Sequence, residues 1–494
     1  MSASEESLLP STSVQEKSAL LDPLASGNDR DDAKGLGVLS TSFFILTGVL
    51  FTIPLPYALL QTGLISGVLL MSVLPLTMVY MAVLLGRCWI MMLRRWPERY
   101  SGERVRRPFP AIGRAAGGPF WDVAVRISVN LTNFGVTVVD LLVATSTIQI
   151  LLPHHFSDRV WLLFCTAAMM PFVWLGTPME SWLVGWLGGL MGLAASVMLL
   201  VTVIVGGLAP SVAPTTAAAA VSVITSALPA TVTTTTTASS SIASSIAWNV
   251  TTAAAVPTTA ITPATLFPAL TGTVTFSSFW IGASTLSFTY AGMSIFPTLQ
   301  HDMRDPRKWS QALILSYVFV SVFAMATAIA GLQLFGKVTN ANILLNIQCH
   351  YSQAGHVLSI ICSILYGVVS LCNGVVTILP VVQDAEDLIS LPSKTNYKHI
   401  LLRTFVLLLC LGAAEGIPHF DKYISLIGAT TISMNNFVFP PLFYYWLSKE
   451  DGTELGLGQK AFFGEMIFIG LVCALAGSYS AIENIIGTSS PDPC

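Results

Sequence analysis

FSSFWIGASTLSFTYAGMSIFPTLQHDMRDPRKW spans residues 276–309, and its reading decides the fold. The run from Phe276 to Leu299 is long enough to cross a bilayer, which takes about 20 apolar residues. It is interrupted near its middle by Gly292 and closed by Pro297, and the charged tail from His301 to Lys308 ends the crossing. Polar groups inside such a segment cost free energy unless they face protein, water or a solute. Ser284, Thr285, Ser287, Thr289 and Tyr290 therefore ask for an explanation. A solute path is one, and helix–helix packing through small residues is the other. The charged tail reads either as an inner gate or as a solvated loop that fixes topology.

The rest of the chain repeats this character. Of 494 residues, only 10% are charged, against about 25% in soluble domains. A water-soluble core cannot absorb that excess of apolar residues, whereas lipid can. The long continuous runs exclude a β-barrel, whose strands alternate over about ten residues. The expected class is an all-α polytopic membrane protein. The net charge of −3 says little about partners. Six of the cysteines, Cys88, Cys165, Cys362, Cys372, Cys410 and Cys473, lie inside hydrophobic runs without CxxC spacing, which points to neither a metal site nor a disulfide framework. No Walker motif, HExxH or nucleophile elbow is present, so neither an ATP-driven pump nor an enzyme is expected, and no cofactor.

About eleven spans are expected, near 37–60, 64–90, 121–150, 160–177, 182–207, 276–299, 310–334, 356–383, 400–415, 423–447 and 461–484. The first is broken by Pro54 and Pro56, since proline removes a backbone donor and clashes in a helix interior. The basic residues set the orientation. With a cytosolic N-terminus, Arg94, Arg95, Arg99, Arg104, Arg106, Arg107 and Arg114 lie inside, as do Arg304, Arg307, Lys308, Lys394, Lys398, Arg403, Lys449 and Lys460. The outside loops hold Arg159, Lys337 and Lys422.

Two segments stand apart from the spans. Residues 1–35 are polar and acidic, read as a disordered cytosolic tail and not a signal peptide. Glu16, Leu20 and Leu21 have the spacing of an acidic dileucine signal for a sorting adaptor, a pattern equally open to chance. Residues 208–275, rich in Thr, Ala and Ser, form an outside or lumenal loop, and Asn249-Val250-Thr251 is a glycosylation triplet there. Asn130-Leu131-Thr132 is a second triplet, but it falls inside a span.

Three features carry a family resemblance. Leu55-Pro56-Tyr57-Ala58 with Gln61-Thr62-Gly63 is one, and Phe288-Thr289-Tyr290-Ala291-Gly292 running through Phe296-Pro297-Thr298-Leu299-Gln300-His301-Asp302-Met303 is the second. The third is the eleven-span pattern with its large loop between spans five and six. In these the chain resembles the amino acid/auxin permease family over roughly residues 36–485, the expected transporter domain. The family includes vesicular, vacuolar, proton-coupled and sodium-coupled amino acid carriers. Many members carry Gly-x-Gly a few residues before LPYA; here Gly48, Phe51 and Thr52 stand in that region and Pro54 is added. The resemblance implies a LeuT-like fold with two inverted five-helix repeats, an accessory eleventh span, and discontinuous helices at spans one and six. It implies secondary transport of small neutral amino acids by alternating access, coupled to H+, with Na+ coupling and a non-transporting sensor as alternatives. The membrane would be lysosomal, vacuolar, vesicular or plasma.

Candidate substrate residues are Gly48, Thr52 and Tyr57 at the first break and Ser284, Thr285, Ser287, Tyr290 and Gly292 in span six. In span three, Asn130, Asn133 and Asp140 share one helix face. An intramembrane acid such as Asp140 is a candidate proton relay or a structural acid. Tyr366, Ser370, Asn373 and Thr377 form a polar face in span eight, and Thr430, Thr431, Asn435 and Asn436 make span ten polar. Each set reads as solute or coupling groups, or as interhelical contact. His154 and His155 fall in a short outside loop, where they read as ordinary loop residues or pH sensors.

Overall fold

The computed structural model describes residues 35–100, 107–152, 156–175, 182–208, 274–350, 353–391, 396–417 and 420–487. Glu16, Leu20, Leu21, His154, His155 and Asn249 lie outside the described residues. Eight helices among the described residues are long and apolar enough to cross a membrane. They coincide with expected spans two, three, four, five, seven, eight, nine and eleven. Their outer faces carry bare hydrocarbon: Ile65, Leu69, Val73 and Leu76 recur at helical spacing and are 49–75% exposed. Lipid is the solvent that such a stripe matches.

The remaining three expected spans are interrupted. Span one is Val38–Val49 followed by Leu55–Thr62. Pro54 caps the second piece and Pro56 sits in its first turn, so proline restarts the helix here instead of merely ending it. Gly63, at φ +80°, then turns the chain directly into the helix Leu64–Arg95. Span six is Phe276–Thr289 followed by Phe296–His301. Its start is fixed by a capping box between Thr275 and Ser278. Span ten differs from the expected continuous helix. After Phe420–Ile427 it is wound as π-helix over Gly428–Ile432 and Met434–Val438, and resumes as Phe439–Glu450. Prolines 440 and 441 in the first turn of that last piece supply no N–H, which favours a change of winding just before them.

The apolar interior falls into two clusters. One joins span two (Met78, Trp89) to span seven (Trp309, Tyr317) and the end of span ten (Phe443). The other joins spans three, four, five and eight through Val139, Met169, Leu199 and Tyr366. Spans one and six contribute to both clusters, so their interrupted middles lie between the two.

The end of the bundle that carries the basic loops is held by polar contacts. Leu36 N–H donates to the Asp302 carbonyl (2.9 Å), the Arg304 N–H donates to the Leu36 carbonyl (3.0 Å), and Arg304 Nε donates to the Gly35 carbonyl (2.8 Å). This clasp ties the start of span one to the end of span six. Trp309 Nε1 donates to the Ala82 carbonyl and Gln300 Nε2 to that of Gly86, joining the ends of spans six and seven to span two. Arg107 pairs with Asp384 (2.5 Å) and Asp387 (2.7 Å).

Candidate functional site

A cavity of about 50 Å³ lies where the breaks of spans one and six face spans three and eight. Span one presents Thr47, Gly48, Leu50 and Phe51; span six presents Phe288, Ala291, Gly292, Ser294 and Ile295. Opposite stand Thr132, Asn133, Val136, Val139 and Asp140 of span three, with Val369, Ser370, Asn373 and Thr377 of span eight. The volume has room for a few water molecules.

The two breaks supply backbone groups. The N–H groups of Gly292, Met293 and Ser294 donate to no backbone carbonyl among the described residues. At span one the Phe51 N–H donates to the Val49 carbonyl, which leaves the carbonyls of Thr47 and Gly48 without a backbone donor among the described residues. Such groups are costly in hydrocarbon and are tolerated where they line a polar cavity. One break thus offers donors and the other offers acceptors, a pairing that suits a carboxylate and an ammonium.

The facing wall is polar by side chain. Asn373 Nδ2 donates to Asp140 Oδ2 at 2.9 Å, joining spans three and eight, and both residues are at least nine-tenths buried. Thr377 Oγ1 lies 3.0 Å from Thr137 Oγ1. Thr132 Oγ1 accepts from Asn435 Nδ2 (2.9 Å) and lies 2.7 Å from Thr431 Oγ1, while Asn435 Oδ1 accepts from Ser128 (2.8 Å). The π-wound segment of span ten is thereby bonded to span three beside the cavity. Asn133 is 1% exposed, and neither its Oδ1 nor its Nδ2 has a hydrogen-bond partner among the described residues. Phe51 and Phe288 meet edge-on, with ring centroids 6.1 Å apart, on the side away from the basic loops.

The residues singled out in the sequence divide sharply. Gly48, Gly292, Asn133, Asp140, Ser370 and Asn373 line the cavity. Thr52 does not: its hydroxyl is 2.5 Å from that of Tyr366, which is also 3.4 Å from Ser196 Oγ. Tyr57 packs beside the second apolar cluster. In span six, Ser284, Thr285 and Ser287 are buried outside the cavity wall, and Thr285 donates back to its own helix at Ile281. Tyr290 also lies outside the wall; its carbonyl accepts from Tyr317 and its hydroxyl has no partner among the described residues. Asn130 belongs to the basic end, where it donates to Asp384 at 2.6 Å. Thr430 donates to Leu426. Thr47, Thr132 and Ser294 line the cavity without having been chosen. Thr132 was legible: it shares the 3.6-residue face of Val136, Val139 and Asp140. Thr47 and Ser294 were not, because only the position of each break decides whether they face the cavity.

The fold and this arrangement define a class: a bundle of helices long and apolar enough to cross a membrane, in which two interrupted helices meet at one central cavity. Residues 34–483 match the family described as transmembrane amino acid transporter protein, and the chain belongs to it. That family is one of transporters, not enzymes. Among curated proteins of Arabidopsis thaliana, the chain is 29% identical to amino acid transporter AVT1E over 40% of its length, and 27% identical to AVT1D over 40%. The matched segments span 37% and 35% of those relatives. The crystal structure of MhsT in complex with L-phenylalanine overlays on 90% of this chain and 98% of its own, with a TM-score of 0.55 at 13% identity. That likeness establishes the LeuT-like fold.

Proposed function

We propose that this protein is a secondary carrier of small neutral amino acids, driven by a proton gradient through alternating access. One observation carries the reading: Gly292 and Ser294, whose N–H groups lack a carbonyl partner, and Thr47 and Gly48, whose carbonyls lack a backbone donor, line one cavity among the described residues. An amino acid's carboxylate and ammonium are the complement of those two sets. The small cavity favours a small solute.

Asp140 is the coupling group in this reading. It stands in the cavity wall with Asn373 as hydrogen-bond donor, so proton binding and solute binding are neighbours. Na+ coupling is the alternative, with Ser370, Thr377 and the Thr47 carbonyl as oxygen donors near the break. A sensor that binds without flux is the other. The membrane is an intracellular one in this reading, in keeping with the dileucine spacing at Glu16, Leu20 and Leu21 and with adaptor recognition of a cytosolic tail.

Uptake of labelled amino acids into proteoliposomes of the purified protein tests this. Accumulation under an imposed pH gradient without sodium, abolished by a protonophore, is expected. Accumulation that requires sodium at fixed pH would replace H+ with Na+. Binding without accumulation under either gradient would sink the carrier reading in favour of the sensor.

A further inference from the structure

A second cleft, of about 450 Å³, lies at the basic end of the bundle, apart from the central cavity. Ala116 and Gly117, which close the short helix Pro108–Gly117, form one side of it. Trp121, in the first turn of span three, forms another, and Trp446, Lys449 and Glu450, on one face of the end of span ten, form the third. Trp121 is held by edge-on contacts to Phe439, Phe443 and Trp446, with ring centroids 5.3–6.2 Å apart. Gly117 lets the short helix abut both indoles: a Cβ there would overlap the Trp121 ring and stand 2.8 Å from Trp446 Cζ3.

The charges around the cleft do not cancel. Glu450 pairs with Arg95 at 2.8 Å, and Asp122, next to Trp121, lies 3.7 Å from Arg126 and 3.9 Å from Arg114. Lys449 is exposed and pairs with no carboxylate among the described residues. The Trp121 indole N–H has no partner among them either, and unlike those of Trp89 and Trp161 it is not sealed from solvent. Span three also begins here without a side-chain cap, and a helix N-terminus favours an anion. An ammonium, an indole donor and a helix N-terminus thus surround one opening.

The surface beside the cleft indicates where the anion comes from. Phe120, Val123, Ile127 and Leu131 recur at helical spacing along span three and are 48–71% exposed. Lipid hydrocarbon matches such a stripe, so the cleft stands where hydrocarbon gives way to headgroups, the level at which tryptophan and lysine side chains gather. We propose that the cleft binds a phospholipid with a net negative headgroup from the leaflet at the basic end. Its phosphate lies between Lys449 and the start of span three, and its acyl chains follow the stripe from Phe120 to Leu131. A zwitterionic headgroup brings its own cation to its phosphate and gains less from Lys449. The site is independent of what the central cavity carries.

Native mass spectrometry of the full chain in a neutral detergent, titrated with phosphatidylserine or phosphatidylcholine, tests this. At least one phosphatidylserine is expected to bind more tightly than any phosphatidylcholine. Lys449→Gln is expected to weaken that tightest site about fivefold, the share of one basic residue near a lipid surface. Lys398→Gln, at the exposed start of span nine, is expected to leave it unchanged. Equal retention of the two lipids by the wild-type protein would overturn the proposal. So would undiminished binding in Lys449→Gln, or an equal loss in both variants, which would show diffuse attraction to the basic end. Displacement of the lipid by equimolar inorganic phosphate would show an anion site open to solvent and remove the lipid as its ligand.

Discussion

Asp140 and Asn373 form the one acid–amide pair in the cavity wall among the described residues, and each comes from a different span. In Asp140→Asn the amide oxygen can still accept from Asn373, so the wall keeps its shape while the titratable group is lost. The expected outcome is uptake whose rate no longer responds to the imposed pH gradient, read by comparing initial rates with and without that gradient. A second residue-scale pair lies apart from the cavity. Thr52 and Tyr366 share a buried hydroxyl–hydroxyl hydrogen bond. Thr52→Val and Tyr366→Phe are each expected to cost about 1 kcal/mol. Thermal unfolding of the single and double variants in detergent would show a non-additive, smaller loss in the double variant.

Elements carry the next level of meaning. Span one and the second half of span six are clasped at the basic end through Gly35, Leu36, Asp302 and Arg304. A Cβ on Gly35 would stand 2.8 Å from Arg304 Cγ and 3.0 Å from its backbone nitrogen. Gly35→Val is therefore expected to loosen the clasp and open the cavity toward the basic end more often. Faster thiol labelling of Ser294→Cys, in a background without native cysteines, would report it; an unchanged rate would show that the clasp does not limit access. Span ten is the other unusual element. Gly428 opens its π-wound stretch and packs directly on the Ser284 carbonyl of span six, leaving no space for a side chain. Gly428→Val is expected to lower stability by about 1–3 kcal/mol through overpacking, seen as a lower melting temperature in detergent. The π winding places Thr431 and Asn435 against Thr132, which a continuous α-helix would aim elsewhere.

For the molecule as a whole, stability at the basic end depends on a buried ion pair. Arg403 of span nine pairs with Glu386 of span eight at 2.7 Å and also donates to the Val173 and Trp174 carbonyls of span four. Removing one partner leaves a buried charge uncompensated, at about 3–5 kcal/mol. Glu386→Gln is expected to lower the melting temperature more than the double variant Glu386→Gln/Arg403→Met, because the latter buries no lone charge.

By itself the sequence determined the membrane class, the order of the eight long apolar helices, and the breaks in spans one and six. Those properties reside in local composition: apolar run length, and prolines and glycines that cannot continue a helix. It also picked out Asp140, Asn133 and Asn373, because polar residues are rare enough in a span to stand out. Only the tertiary structure decided which polar residues share the cavity. The hydroxyls of span six read equally as a solute path or as interhelical packing, and only the fold shows that Thr285 bonds back to its own helix and Ser284 packs against span ten. Asn130 and Asn133 are three residues apart, yet one meets Asp384 at the basic end and the other faces the cavity. Periodicity gives a residue's face but not its depth or the rotation of its neighbours. The π winding of span ten was equally hidden: Pro440 and Pro441 mark where it ends, but the bonds of Thr431 and Asn435 to Thr132 exist only once the helices have packed. Helix existence is a local property of the chain, whereas a site is fixed by where several chain-distant helices happen to meet.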